Sequence, residues 1–240
     1  MRVGVSQRHV SYVESGRAKP SRELLRAWLR ELNAPLVVRN EAMLLAGFAP
    51  VYGDSPLGDP ALAQHDEALS HLLSAHDPMP AFLMDAQWNL LRTNRGGRWL
   101  GAVLLPGLAE RPDNRPLNML DALCDPEGFT RQLLNLGEVG PVLLARLRGE
   151  AAAQPALKPK VEAFAGLLRS RLGNAEWQSG IPRMAPVLTS RFATAAGELA
   201  FFSMFTTFGT PQDITLASLR VEHLCAADEA TREVLRAQVK

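Results

Sequence analysis

The chain has 240 residues, 47% of them apolar and 21% charged, with a formal net charge of +1. Those values belong to an ordinary globular protein and exclude a disordered, collagen-like or polycationic chain. Two cysteines far apart, Cys124 and Cys225, cannot form a disulfide framework, and no apolar run reaches the roughly 18 residues of a membrane span. Charge is uneven along the chain: residues 1–50 hold 8 Lys/Arg against 4 Asp/Glu, net +4, which leaves 18 against 21, net −3, for residues 51–240. A basic end on a mildly acidic body points to nucleic-acid contact confined to that end. The polar, basic N-terminus has no apolar signal stretch, so a cytoplasmic chain without membrane contact is expected.

Taken in order, Ser6 caps a short helix over Gln7–Glu14, with Val10 and Val13 on its apolar side and Gly16 as its stop. Ser21 caps a second helix whose Leu24, Leu25, Trp28, Leu29 and Leu32 recur at three and four residues. Pro35 opens a third, ending near Gly47. Pro50 to Pro60 holds three prolines and two glycines in eleven residues and reads as a linker, with domains at 1–50 and 61–240 on either side of residues 51–60.

Ala61–His76 then reads as a helix, followed by strand (Ala81–Met84), turn, and strand (Trp88–Thr93). Asn94 caps a helix bearing Trp99, Leu100, Val103 and Leu104. Helical tracts follow near Leu117–Cys124, Glu127–Gln154 and Leu157–Leu172, and Gly137, Gly140 and Pro141 predict a kink or break in the middle one. After Pro186 the tracts Val187–Thr194, Glu198–Phe208 and Ser218–Cys225 are rich in Phe, Thr and Val, as strands are, and Ala226–Gln238 closes as a helix. Strands, then helices, then strands predict an α+β fold with an antiparallel sheet, in which Ala81–Thr93 pairs into the same sheet as Val187–Cys225.

Gly4–Arg22 has the grammar of the second half of a helix-turn-helix. A capped helix of small and basic residues is followed by a basic loop and a second cap. In such a unit Gln7, Arg8, His9 and Ser11 lie toward base edges, Arg17, Lys19, Arg22 and the backbone amides at the Ser21 cap lie on phosphates, and Ser6, the cap of the recognition helix, belongs to the same DNA-binding set. His65, His71 and His76 do not converge on one ion. On a helix His71 lies about 120° away from His65, and His76 about 16 Å along the axis. No metal or cofactor is therefore expected. The Gly96-Gly97 pair lacks a phosphate-loop pattern, and no nucleophile motif or carboxylate pair marks an enzyme.

The phrases SQRHVSYVESGRAKPS and NEAMLLAGFAPVY resemble the Xre/Cro-type regulators whose C-terminal half is an MmyB-like ligand-binding domain. PAFLMDAQWNLLRTN, NMLDALCDPEGF, VGPVLLARLRGEA and ELAFFSMFTTFGTPQDITLASLRVEHLCAADEAT resemble that domain in order, so the likeness spans nearly the whole chain. It implies a bacterial one-component transcription regulator with a PAS-like sensing domain, a homodimer on double-stranded operator DNA. That family has two helices ahead of the phrase beginning at Gly4, whereas three residues precede it here, so the helix-turn-helix is expected to be partial.

Glu198–Phe208 is apolar on both faces, which places it between layers or against a cavity. An enclosed cavity for an apolar, fatty-acid-like molecule is expected, lined by Phe82, Met84, Trp88, Leu90, Trp99, Leu100, Phe164, Leu168, Phe201, Phe202, Met204 and Phe205. Arg191, Arg220 and His223 are candidates for an anionic head group. The rival readings are an enzyme that uses the same pocket, and a ligand-binding protein that does not bind DNA.

Overall fold

A computed structural model describes residues 4–106, 116–173 and 187–240. The chain forms two compact units. One runs to Asp66 and also takes in Phe208–Ser218. The other comprises Glu67–Thr207 and Leu219–Lys240.

In the first unit Ser6 accepts from the His9 amide and starts α1 (Gln7–Glu14), and Ser21 accepts from the Leu24 amide and starts α2 (Arg22–Glu31). Gly16, at φ 70, lets the amides of Arg17 and Ala18 return to the Tyr12 carbonyl. α3 (Leu36–Leu45) buries Asn40 and Met43. The Asn40 side chain accepts from the amides of Val51 and Tyr52 at 2.9 and 3.1 Å and donates to the Tyr52 carbonyl at 2.9 Å. The Pro/Gly-rich stretch is thus tied down by one buried amide. Further along, the Ile214 amide donates to the Gly53 carbonyl at 2.8 Å, and buried Asp213 accepts from the amides of Ser55 and Leu216 at 3.1 and 3.3 Å. Asp213 thereby starts the short helix α9 (Ile214–Ser218) and holds the stretch around Gly53 beside it.

After α4 (Ala63–Ala75), the second unit is built on a five-stranded antiparallel sheet in the order β2-β1-β5-β4-β3. Its strands are β1 (Ala81–Met84), β2 (Leu90–Thr93), β3 (Thr189–Thr194), β4 (Gly197–Thr206) and β5 (Arg220–Ala226). The expected α+β class and the pairing of the two distant strand regions hold: β1 lies directly against β5, with Phe82 opposite Glu222. α5 (Arg95–Leu104), α6 (Met119–Cys124), α7 (Leu136–Ala153), α8 (Lys158–Leu172) and α10 (Glu229–Gln238) complete the unit. Met84, Leu147, Phe164, Leu168, Leu199, Phe201 and Leu235 form the closed part of the core. Each such side chain contributes roughly 1.5–3 kcal/mol by leaving water.

Two local expectations are corrected. The second strand begins at Leu90, not Trp88. Trp88 takes φ 67, and Asp85 accepts from the amides of Gln87 and Asn89 at 2.8 and 2.9 Å, so the turn extends through Trp88. The break expected at Gly137–Pro141 is also absent: α7 runs unbroken from Leu136 to Ala153 with Pro141 inside it. Pro141 lies in the second turn, where only the Gly137 carbonyl forgoes a partner. Gly140 is small because α8 crosses there: a Cβ would lie 2.6 Å from Leu168 Cδ2.

Candidate ligand-binding cavity

The inner face of the sheet does not close completely against the helices. A cavity of about 720 Å³ remains between β4 and β5 on one side and α5, α6 and α7 on the others. Its wall is mostly aliphatic and aromatic. Leu100 and Leu104 come from α5, Leu123 from α6, and Val139 and Leu143 from α7. Gly97 lets α5 approach the sheet, since a Cβ there would lie 2.0 Å from Thr93 Oγ1 and 2.9 Å from the Ala81 carbonyl oxygen. Asn94 caps α5 by accepting from the Gly97 amide at 2.8 Å, and its side-chain oxygen also accepts from the Ala81 amide at 2.9 Å.

Of the residues expected from sequence, Phe82, Trp88, Leu90, Leu100, Phe164 and Phe205 line the cavity. Met84, Leu168 and Phe201 are closed into the core instead, and Trp99 packs against its edge. Phe202 and Met204 lie off the cavity wall: strand alternation turns them to the opposite face, where Met204 is 57% exposed. Many aliphatic wall residues on α6 and α7 went unrecognised, because helical apolar spacing marks a buried face without saying whether that face meets a neighbour or a void.

The ionisable side chains on the wall, among the described residues, are Arg98, Arg146 and Glu222. Arg98 donates to the Thr93 carbonyl at 3.2 Å. The other two form a polar pole. Ser203 Oγ is hydrogen-bonded to Glu222 Oε1 at 2.7 Å, and the Arg146 guanidinium lies 4.0 Å from the centroid of Phe205, which pairs with Glu222 across the strands. Behind this pole Glu150 accepts from Arg146 Nε at 3.0 Å, from Arg220 Nη1 at 2.9 Å and from the Trp88 indole at 2.9 Å. The Glu150 carboxyl is held below its ordinary range by Arg220, Trp88 and Arg146, which together outweigh its partial burial. The Glu222 carboxyl is pushed up by burial, which Ser203 and the two guanidiniums only partly offset.

Of the three head-group candidates, Arg220 stands behind this pole. Arg191 pairs loosely with Glu198 on the surface at 3.8 Å. His223 points to the other face of the sheet, edge-on to His76 at 4.7 Å. Arg146, Ser203 and Glu222 were missed. The alternation Arg220-Val221-Glu222-His223 carried the signal for Glu222, which had to share a face with Arg220. Among the described residues no group of His, Cys, Asp and Glu is placed to hold a metal, and His65 meets Phe208 rather than another ligand.

On the first unit Ser6, Gln7, Arg8, Ser11, Arg17, Lys19, Ser21 and Arg22 are exposed and His9 is partly so. α1 buries no side chain. Arg8 folds back on its own helix, with Nε and Nη2 at 3.0 and 2.9 Å from the Tyr12 hydroxyl.

The family model of the MmyB-like transcription regulator ligand-binding domain matches residues 66–237. No curated protein matches the chain.

Proposed function

The chain belongs to the family of MmyB-like transcription regulator ligand-binding domains, and from that premise we propose that it is a one-component regulator whose second unit senses an apolar molecule with one polar end. The observation that carries this reading is the cavity of about 720 Å³, walled by apolar side chains and polar at one pole. Such a volume and lining suit a flexible hydrocarbon chain with a small head group, a fatty-acid-like ligand. The rival enzyme reading finds little support. Among the described residues the wall holds no histidine or cysteine, and Ser203 faces a carboxyl with no third group to orient it.

The DNA-binding part of the proposal rests on α1 and the loop after it. Gln7, Arg8, His9 and Ser11 present side chains suited to base edges, while Arg17, Lys19 and Arg22 suit phosphates. The Ser6 and Ser21 hydroxyls are engaged as helix caps, so their part is to fix the two helix starts. A homodimer would place two such units on two half-sites of double-stranded operator DNA.

A route for the signal is built into the chain. β4 and β5 carry Ser203, Phe205, Glu222 and Leu224 of the cavity wall, and the segment that joins them, Phe208–Ser218, belongs to the first unit. A ligand that favours one arrangement of these strands thereby shifts the populations of the unit that carries α1.

Native mass spectrometry of the purified chain, followed by extraction and displacement with straight-chain amphiphiles, tests the sensor reading. A co-purifying species of a few hundred daltons, or saturable binding of a C10–C14 amphiphile, is expected. A chain that carries nothing and binds none of them would overturn it.

A further inference from the structure

α2 carries a row of arginines. Arg22, Arg26 and Arg30 recur at four residues and are exposed, and among the described residues their side chains form no ion pair, hydrogen bond or ring contact. Each step advances about 6 Å along the helix and turns about 40° around it, so the three guanidiniums span about 12 Å of one face. The opposite face is the packed one: Leu24 is buried there, and Leu25, Trp28 and Leu29 are partly so. The acids of the same helix, Glu23 and Glu31, pair with none of the three arginines. Like charges four apart weaken a helix, and Arg22 stands in the first turn, where the helix dipole favours an acid. A row kept unneutralised against both effects is complementary to a partner with regularly spaced negative charge. The row begins at the Ser21 cap, directly after the loop of Arg17 and Lys19. One strand of a duplex carries a charge about every 3.4 Å along the axis, so a 12 Å row meets a run of phosphates along its whole length.

We propose that α2 is a second phosphate-binding face, on which Arg26 and Arg30 extend along the backbone of double-stranded DNA the contact that Arg17, Lys19 and Arg22 begin. This rests on the DNA-binding reading above and adds two residues and a direction to it. A guanidinium on a phosphate oxygen makes the same contact whatever the base beside it. The binding is driven by release of the counterions that those phosphates hold, so it weakens with salt and is blind to sequence. Arg26 and Arg30 thereby set how strongly the chain holds any duplex, while α1 sets which duplex it prefers.

The test is fluorescence anisotropy of the full chain with two labelled duplexes of about 24 base pairs and unrelated sequence, from 50 to 400 mM KCl. Arg26→Gln/Arg30→Gln should lower the slope of log K against log salt by about 1.8, two contacts at about 0.9 each. At 0.1 M salt that is a loss of roughly 60-fold, by the same factor on both duplexes. Arg26→Lys/Arg30→Lys keeps the charges and should keep the slope. Arg148→Gln/Arg169→Gln removes two exposed charges from the second unit and should leave the slope unchanged, which separates contact from net charge. Unaltered circular dichroism shows that the variants are folded. A slope that survives Arg26→Gln/Arg30→Gln, an equal fall in the second-unit control, or a loss confined to one duplex would overturn the proposal while leaving DNA binding by α1 standing. An unchanged slope with lost binding to poly-L-glutamate would assign the row to an acidic polypeptide and overturn it too. Failure of the parent chain to bind either duplex at 50 mM KCl would remove the DNA-binding reading and this proposal with it.

Discussion

The guanidinium of Arg220 lies over the face of Trp88, 4.0 Å from the ring centroid, while the indole N–H of the same tryptophan donates to Glu150. Cation, ring and carboxylate thus form one closed arrangement behind the cavity, and Arg220 Nη1 completes it on Glu150 at 2.9 Å. The stacking explains how a guanidinium with two unpartnered nitrogens can be tolerated in a half-dry place. It also fixes Trp88 as a wall of the cavity.

Glu150→Ala should therefore destabilise the second unit. It leaves two guanidiniums and an indole without their acceptor, and removing one partner of a buried pair costs several kcal/mol. Arg146 keeps 37% of its side chain exposed, which softens the loss to about 2 kcal/mol. Urea unfolding at neutral pH measures it, and a change below about 0.5 kcal/mol would show that solvent already screens the cluster.

His223 should make the fold acid-sensitive. Burial, and secondarily the neighbouring His76, depress its pKa below the ordinary 6.5. The unfolded chain then binds more protons than the native one between the native pKa and 6.5. Stability contributed by the neutral ring is present above 6.5 and lost as pH falls from there toward the native pKa. Unfolding free energies from pH 7.5 down to 5 should decline, and His223→Gln should flatten the decline. An identical profile in the variant would clear His223 of the effect.

Gly97→Ala should cost about 1–3 kcal/mol, because the added methyl must displace the Thr93 hydroxyl and press on the Ala81 carbonyl. Neither moves freely, since Thr93 Oγ1 donates to that same carbonyl at 2.9 Å. Denaturant melts of the variant give the number, and an unchanged midpoint would mean that α5 can lift off the sheet without penalty.

The basic end makes a separate prediction. If α1 and its loop meet DNA as proposed, Lys19→Ala should weaken all sequences alike and lower the salt slope by about 0.9 for the lost phosphate contact. Arg8→Ala should instead relax sequence preference, after release of Arg8 from Tyr12. Anisotropy titrations at several salt concentrations separate the two. Binding by the parent chain that is insensitive to salt would rule out a phosphate-led interface.

Much of the fold was legible because its local signals are clean. The Phe-rich composition of β4 and the caps at Ser6, Ser21 and Asn94 mark elements that the structure contains. The cavity was legible only as a tendency. Met84 and Phe82 look alike in sequence, yet one is sealed in the core and the other borders the void, and that difference arises from how far α5 and α7 stand from the sheet. The polar pole was harder still. Arg146 lies on a helix and Glu222 on a strand, 76 positions apart, and no local pattern ties them together. Trp88 illustrates the opposite limit, since its strand-like composition lost to the Asp85 turn that forces it to φ 67.

The membership of Phe208–Ser218 in the first unit has an evolutionary and practical meaning. A sensor that begins at residue 66 could not be lifted out as a cassette and joined to another DNA-binding module. Asp213 would lose the Ser55 amide and the bridge to Gly53, and Phe208 would lose His65. Exchange between regulators would have to carry two separated pieces of chain at once. Chimeras spliced in the Pro/Gly-rich stretch should fold poorly unless the β4–β5 connection comes from the same parent as the N-terminal helices.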